Sequence, residues 1–458
     1  MPKTVFITSF FGLSARNILS TRILDILSQS PDTRIVILAP QEKKANYESF
    51  FVGDKKNVIV EGVALKNARM DAFKWASASK SWLERLFFSL FLNASDTSTL
   101  RVVRTVERHG GYYVGSFLHW VLAKLGNLKL FRSLLRHLDY VLLSKNRHKE
   151  YFEKYQPAIV FATDVFNEHD IQVMREARAR KIKIIGMVRS WDNITSHGLN
   201  RMIPDKLIVN TPKIKEEAIK YNDVLPENIF ISGIPHYDRY TAKFRTSREN
   251  LFKELNLDPS KKTIFFAPPS DMYTKNNPVS VQVIKELEKL DGAQLIIRPY
   301  MVGEVKLGNI KPISGKLAID APSKHLSMAD ADLAPKEDAH LADLLYHSDV
   351  VVAVASTLAI DAATLGKPVV FIGFDGEARP YWNSLRRYYD YDHQRYLLNT
   401  KGVRLASNIR EFVECVSAYL KNPSLDKENR KKIADEFCWK LDERSSERAG
   451  EFLINELK

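Results

Sequence analysis

The sequence predicts two doubly wound α/β domains in tandem, and three observations carry that prediction. At 458 residues the chain exceeds what one hydrophobic core ordinarily serves and suits two domains of about 200 residues each. Continuous apolar strands alternate with helix-forming segments in both halves, the pattern of parallel sheets covered on both faces. Between the halves, residues 240–262 are polar and charge-rich, which sets the boundary between a domain 1–240 and a domain 241–458.

The first half opens with a strand at Val5-Phe6-Ile7, a turn at Phe11-Gly12-Leu13-Ser14 and a helix over residues 15–29. Strands follow at residues 34–39 and 57–60. Alternation resumes later, with strands at 158–162, 183–188, 206–209 and 228–232 and a helix over 168–180. In the second half, strands fall at 263–267, 294–298, 350–353 and 368–372, with helices at 279–290, 339–348 and 358–365 between them. Residues 299–337 read as irregular, with the acidic pair Asp330 and Asp332, and the C-terminus from 427 to 457 as helical. In such sheets, ligands bind beyond the carboxyl ends of the strands.

Residues 72–155 break the alternation with a long helical insertion. Trp82, Leu83, Leu86, Phe87, Leu90 and Phe91 make one apolar stripe at helical spacing, beside Lys80 and Arg85. Phe117, Trp120, Val121, Leu125, Leu128, Phe131, Leu134 and Leu135 make a second, interleaved with Lys124, Lys129, Arg132 and Arg136. The net charge is +13, and residues 74–154 hold 14 Lys and Arg against 6 Asp and Glu. Aromatic and basic residues on amphipathic helices suit an anionic bilayer interface, while core packing with a solvated basic face fits equally well. No nucleic-acid-binding module is visible, so nucleic acid is not expected as a partner.

Composition sets further bounds. Apolar residues make up 45% and charged residues 27%, a folded rather than a disordered composition. Cys415 and Cys438 are the only cysteines, too few for a disulfide framework or a Cys-based zinc site. With no signal-peptide pattern and no apolar run near the roughly 20 residues of a membrane span, a cytoplasmic location is expected.

The most informative stretch is residues 349–370. A buried strand ends at Ser356-Thr357 and a helix begins there, so hydroxyls and backbone N–H groups converge on a phosphate-sized site. Gly366 caps the helix and Pro368 opens the next strand. An ordinary strand–helix–strand unit with a capping hydroxyl has the same pattern.

This order resembles the nucleotide-binding half of GT-B glycosyltransferases, and is most similar to the CDP-glycerol glycerophosphotransferase and capsule-polysaccharide transferase group. Ser232-Gly233-Ile234-Pro235-His236-Tyr237-Asp238 resembles the Gly-Pro-Asp turn that closes the first domain there and in UDP-sugar 2-epimerases. Phe266-Ala267-Pro268-Pro269 resembles the opening of the second domain, and Asp442-Glu443-Arg444-Ser445-Ser446-Glu447-Arg448 the C-terminal helix motif. Ser190-Trp191-Asp192-Asn193 is similar to a segment of surface-carbohydrate proteins. Arg298-Pro299 matches that group's Arg-Pro-His except that position 300 is Tyr300. The resemblance spans about residues 185–450 and leaves the insertion uncovered.

It implies two Rossmann-like domains facing a central cleft, without a cofactor or a metal. Ser356, Thr357 and Arg298, aided by Arg448, would hold the donor pyrophosphate. Asp361 would bind donor hydroxyls or cap its helix. Gly233 and His236 would contact phosphate or finish the domain-closing turn. Tyr300 in place of histidine favours a nucleotide-sugar donor over a glycerol- or ribitol-phosphate donor.

The acceptor's proton needs a base in the first domain. Many GT-B enzymes place a histidine after the first strand, but the first histidine here is His109. Gly12 and Arg16 then read as a close-approach loop and an anion contact. Asp192 is the first candidate base, with Trp191 to stack on a sugar and Ser190 and Asn193 around its hydroxyls. Asp164 is the second; either carboxylate fits equally as a helix cap. Glu168, His169 and Asp170 read as helix-cap and surface charge rather than a metal site. The combined expectation is transfer from a nucleotide-activated donor to a glycan or lipid-linked saccharide at the inner membrane face. A polyol-phosphate transferase, an epimerase and a non-catalytic binding subunit are the rival readings.

Overall fold

The computed structural model describes residues 2–65, 81–109, 113–240, 246–271, 273–300, 303–321 and 335–458. Parts of the expected insertion (72–80 and 110–112) and the Asp330/Asp332 pair lie outside the described residues. The chain forms two compact units: one comprises residues up to Asp238 together with Asp442–Lys458, the other the described residues from Arg239 to Leu441.

The first unit is built on a parallel sheet of seven strands, β1 (Lys3–Thr8), β2 (Thr33–Pro40), β3 (Val58–Val63), β4 (Ile159–Ala162), β5 (Lys183–Met187), β6 (Lys206–Val209) and β7 (Ile229–Ile231). Their order is β3-β2-β1-β4-β5-β6-β7, so the winding reverses between β1 and β4. The central strands lack polar–apolar alternation because both faces are covered, and every residue of β4 is buried. The helix expected over 15–29 is interrupted. A π-helical turn, Ala15–Leu19, ends where Ser20 N donates to Ala15 O, and Arg22–Ser28 restarts with Thr21 Oγ1 accepting from Ile23 N (3.4 Å).

The insertion is helical as expected, with Trp82–Asn93, Ser98–His109, Tyr113–Leu125, Lys129–Leu142 and Lys149–Tyr155. Phe87, Phe91, Ala94, Leu135 and Leu143 pack into a small core with Leu199. At Gly126 the chain approaches so closely that an added Cβ would lie 1.6 Å from the carbonyl oxygen of Ala94. A buried ion network anchors these helices to the sheet layer. Asp139 accepts from Arg175 Nη2 (2.7 Å) and from Arg201 Nε (3.1 Å), and Arg201 also pairs with Glu168. Removing Asp139 would leave the buried Arg175 guanidinium without its carboxylate and Arg201 with Glu168 alone, a cost of about 3–5 kcal/mol.

The basic stripe needs correction. Arg132 Nη2 and Arg136 Nη1 donate to the two carboxylate oxygens of Asp223 (2.5 and 2.8 Å), and Arg136 also donates to the carbonyls of Asn200 and Asn222. Lys124 lies 3.4 Å from Asp96. Arg132 and Arg136 are thus engaged by a carboxylate of the unit itself, whereas Lys124 and Lys129 stay exposed beside apolar side chains. Phe117, Leu118, Trp120, Leu130, Leu134 and Val141 are all exposed.

The C-terminal helix Ser445–Leu457 belongs to the first unit, not to the second domain where the sequence put it. Its Ala449, Leu453 and Leu457 join the core that contains Ile23, Leu24 and Leu27, and Lys3 Nζ donates to Leu457 O (2.7 Å). A clasp holds its start. The Asp238 carboxylate accepts from the backbone N–H groups of Ser445 (3.1 Å) and Ser446 (2.8 Å), a helix N-cap worth about 1 kcal/mol.

The second unit carries a six-stranded parallel sheet: β8 (Lys262–Phe266), β9 (Ala293–Ile297), β10 (Leu317–Ile319), β11 (Val350–Ala353), β12 (Val369–Ile372) and β13 (Val403–Ala406). The order β10-β9-β8-β11-β12-β13 repeats the first sheet's reversal, here between β8 and β11. The sequence reading missed β10 and β13, the two edges. Among the described residues no helix is long and apolar enough to cross a membrane.

Two histidines come to rest behind β1. Phe10 stacks on His148 (centroids 6.4 Å apart) and meets His169 edge-on (5.8 Å), and neither ring nitrogen of His148 has a hydrogen-bond partner. Burial, then the nearby Arg147 charge, pushes His148 down to about 4 from the usual 6.5. Burial, then the charges of His148 and Arg147, takes His169 down to about 4. Between those values the unfolded chain binds protons that the folded chain refuses, so stability should fall as the pH drops through that window and stay flat above it. Each ring should contribute on the order of 1–2 kcal/mol of this loss near pH 5. In denaturant titrations His148→Phe should reduce the acid slope, and an unchanged slope would show that the ring titrates freely.

Candidate functional site

In the first unit, the crevice where the winding reverses is lined by the ends of β1 and β4. Thr163 N donates to Thr8 Oγ1 (3.0 Å), Thr163 Oγ1 donates to Thr8 O (2.8 Å), and Thr8 Oγ1 donates to Asp170. Burial, then the neighbouring Asp164 charge, pushes the Asp170 carboxyl well above its usual range. Glu168 and Asp170 are therefore not the surface charges that the sequence suggested. Both are buried, and the cap of helix Glu168–Ala179 is Asn167, which accepts from His169 N and Asp170 N.

Asp164 is 3% exposed, accepts from Arg189 Nε (2.8 Å) and from Phe166 N (3.1 Å), and so combines an ion pair with a local turn bond, while Asn167 and not Asp164 caps the helix. The guanidinium of Arg189 lies 4.4 Å above the Phe11 ring. Asp192 differs: it is partly buried and its side chain does not cap the short helix Asn193–Ser196. Asn193 Oδ1 accepts from Ser190 N (2.8 Å), which closes that turn on itself. Trp191 is 9% exposed, packed inside rather than offering an open ring face as expected.

Beside these carboxylates stands a histidine that the sequence reading passed over. His197, one helical turn past Asn193, is within hydrogen-bonding distance of Ser196 Oγ (2.9 Å) and 5.7 Å from the Phe166 ring. Burial lowers its pKa, against the opposing charges of Asp192 and Asp164, and so favours the neutral imidazole. The signal was its position, five residues beyond Asp192 in the Ser-Trp-Asp-Asn segment.

Two further groupings lie in this unit. Arg16 Nη2 donates to His236 Nε2 (3.1 Å), joining two residues 220 positions apart, while Gly12 opens a short helical turn. Gly233 has φ +84°, and an added Cβ would lie 2.5 Å from Ser445 Oγ. Arg448 donates to Ser232 O (2.8 Å), to Ser445 Oγ (3.1 Å) and to both oxygens of Asp442. Gly233 and Arg448 thus meet each other in the clasp around Asp238, and Arg448 is held by carboxylate and carbonyl partners.

In the second unit, the carboxyl edge collects the other predicted residues. Ala355, between β11 and Ser356, has φ +36°, a left-handed conformation that costs a residue with a Cβ about 1–3 kcal/mol. The buried Tyr389 hydroxyl sustains it by accepting from Ala355 N (3.2 Å) while donating to Ile372 O (2.7 Å). Ser356 Oγ accepts from Leu358 N (3.2 Å), and Thr357 is the cap residue of helix Leu358–Thr364. Asp361 is buried in that helix, close enough to Cys438 that, after burial itself, its charge helps raise the thiol.

Arg298 follows β9, its N–H bonded to Phe266 O (2.9 Å), and its guanidinium reaches two carboxylates that sequence patterns did not reveal. It pairs with Asp320 and with Glu337 (2.9 Å), and His340 lies 3.1 Å from the other Asp320 oxygen. Burial pushes the Asp320 carboxyl up, but the His340 hydrogen bond and the Arg298 charge outweigh it and hold the group below its usual range. The same hydrogen bond raises His340. Among the described residues no group of three or more His, Cys, Asp or Glu side chains is placed to hold a metal ion.

Comparisons with known proteins agree with this architecture. The UDP-GlcNAc 2-epimerase from Neisseria meningitidis, solved with UDP-GlcNAc, superposes with a TM-score of 0.55 at 11% identity, covering 99% of this chain and 100% of that one. The glycotransferase of kitacinnamycin gives 0.54 at 12% identity, with 100% of both chains covered. MnaA of S. aureus, solved with UDP, gives 0.52 at 10% identity, covering 100% and 98%. At such identities the likeness shows the fold, the GT-B class of two Rossmann-like units in one chain. No curated protein matches the sequence. The family described as CDP-glycerol:poly(glycerophosphate) glycerophosphotransferase matches residues 188–455, more than half of the chain, from the end of β5 to the C-terminal helix. That span takes in the clasp, the Arg298 edge and the strained Ala355 turn, and the chain belongs to the CDP-glycerol:poly(glycerophosphate) glycerophosphotransferase family.

Proposed function

We propose that the protein transfers a sugar from a nucleotide-activated donor to a hydroxyl of a surface glycan or its lipid-linked precursor. The family match over residues 188–455, which contains the Arg298 and Ala355–Thr357 edge, supports transfer from a nucleotide-activated donor, and Tyr300 is the observation that turns the reading from a polyol phosphate to a sugar. Arg298 and the backbone around Ser356 and Thr357 would meet the donor phosphates, with the phosphate competing against Glu337 for the guanidinium. Cationic and N–H donors of this kind stabilise a departing nucleotide without a metal. Asp192, with neutral His197 near it, would take the acceptor's proton. Tyr300 supports a sugar over a polyol phosphate, since it stands where the resembling glycerophosphotransferase motif Arg-Pro-His has its histidine. The second reading, a polyol-phosphate donor, is favoured by the family's own description.

The insertion's exposed Leu130, Leu134, Phe117 and Trp120, with Lys129 beside them, support contact with the inner face of an anionic membrane, where lipid-linked acceptors are presented. Because Arg132 and Arg136 hold Asp223, the apolar residues make the cleaner probe. Leu130→Asp combined with Leu134→Asp should release the protein from anionic vesicles in a sedimentation assay, and full retention would refute the contact.

For the donor, melting should be compared with CDP, CMP, UDP and GDP. One nucleotide at a hundredfold excess over its Kd should raise Tm by roughly 5 °C, and Arg298→Ala should abolish that rise. Absence of any rise would sink the donor reading and leave a non-catalytic glycan-binding subunit.

A further inference from the structure

Around the second unit's carboxyl edge, the loops after β8 and β12 are stitched into one rim. Asn277 Nδ2 donates to Asp375 Oδ1 (2.7 Å), Gly376 N donates to Asn277 Oδ1 (3.0 Å), and Arg379 donates to the carbonyls of Lys275 and Asn276 (both 2.8 Å). Tyr273 sits on this rim with its carbonyl held twice, by Arg387 Nη2 (3.0 Å) and by the Tyr388 hydroxyl (2.7 Å). Its ring is braced edge-to-face by Tyr388 (centroids 5.8 Å apart, 83°), which Tyr391 braces in turn (5.5 Å, 78°). Tyr300, two residues past Arg298, completes the row at 6.3 Å from Tyr273 and 51° to it. The lower rings, Tyr388 and Tyr391, are partly buried, whereas Tyr273 and Tyr300 are 38% and 36% exposed.

Folding alone gives no reason to leave two large rings partly in water at a strand-end edge while fixing the backbone beneath them. Rigid aromatic faces beside a guanidinium bind flat partners at low entropic cost, as in stacking platforms for bases and sugar rings. We propose that Tyr273 and Tyr300 form a stacking subsite for a ring of the donor, next to the Arg298 phosphate arm. The inference rests on the donor reading above and deepens it: the group recognised is cyclic, either the nucleobase or the transferred sugar, since an open glycerol chain has no flat face to stack.

The test is calorimetric titration of the full chain and of Tyr300→Ala, Tyr273→Ala and Tyr300→Phe with CDP, UDP, a UDP-hexose and CDP-glycerol. Each alanine variant should weaken binding by about five- to thirty-fold, and the phenylalanine variant should retain it. A loss shared by bare nucleotides and nucleotide sugar assigns the base to the platform, and a loss confined to the nucleotide sugar assigns the sugar. Unchanged affinity in both alanine variants overturns the subsite. If the unaltered protein binds no nucleotide, the donor reading fails separately. Fluorine NMR of fluorotyrosine-labelled protein then decides, with cytidine, uridine and methyl glucoside as probes. A shift of the resonance missing from Tyr300→Phe upholds a ring subsite, and no shift overturns it.

Discussion

A parallel sheet wound outward in both directions must part its connections where the winding reverses, and nearly every residue of interest here lies at such a parting. In the first unit it falls between β1 and β4, in the second between β8 and β11. Right-handed crossovers send the flanking connections to opposite faces, so the strand ends at that point stay uncovered. Thr8, Thr163, Asp164 and Asp170 gather at the first opening, and Ala267, Arg298 and Ala355 at the second. Each opening is stiffened from below. Asp170 locks the threonine pair in one, and Tyr389 sustains the left-handed Ala355 in the other.

The same geometry separates residues that organise a site from residues able to touch a ligand. Gly233, Asp238, Ser445 and Arg448 stand in stretches that resemble family motifs, which invites a reading as ligand contacts. Their bonds instead close the chain's last helix onto the first unit, with backbone N–H groups and a guanidinium satisfied inside the clasp. Arg298 is the opposite case. Its two carboxylate partners hold the guanidinium, and Glu337, the more exposed of them, is the one that the proposed donor phosphate would replace.

Much of this was legible in the sequence, and the gaps have physical causes. Buried central strands such as β4 and β11 announce themselves as unbroken apolar runs, because both faces are covered. β10 and β13 did not, since edge strands of three and four residues lack that pressure and carry residues such as Arg404. The strand-end positions of Ser356, Arg298 and Asp192 were legible because strand ends and motif spacing are local. Asp320, Glu337 and His340 were not, because what joins them to Arg298 is tertiary pairing across 20 to 40 positions. Trp191 failed for another reason: a residue type suggests stacking, and only burial says whether a face is open. Arg132 and Arg136 failed likewise, as a helical wheel shows the stripe but not Asp223 waiting 87 to 91 residues away.

If, as proposed, a sugar and not a polyol phosphate leaves the donor, the nucleotide released distinguishes the two. Sugar transfer breaks the bond between the sugar and the β-phosphate and frees a nucleoside diphosphate. Polyol-phosphate transfer breaks the pyrophosphate itself and frees CMP. The purified protein would be incubated with acceptor membranes and either a nucleoside diphosphate sugar or CDP-glycerol, and the released nucleotides separated by ion-exchange chromatography. The account predicts acceptor-dependent nucleoside diphosphate from a nucleotide sugar, abolished in Arg298→Ala. Acceptor-dependent CMP from CDP-glycerol would contradict it.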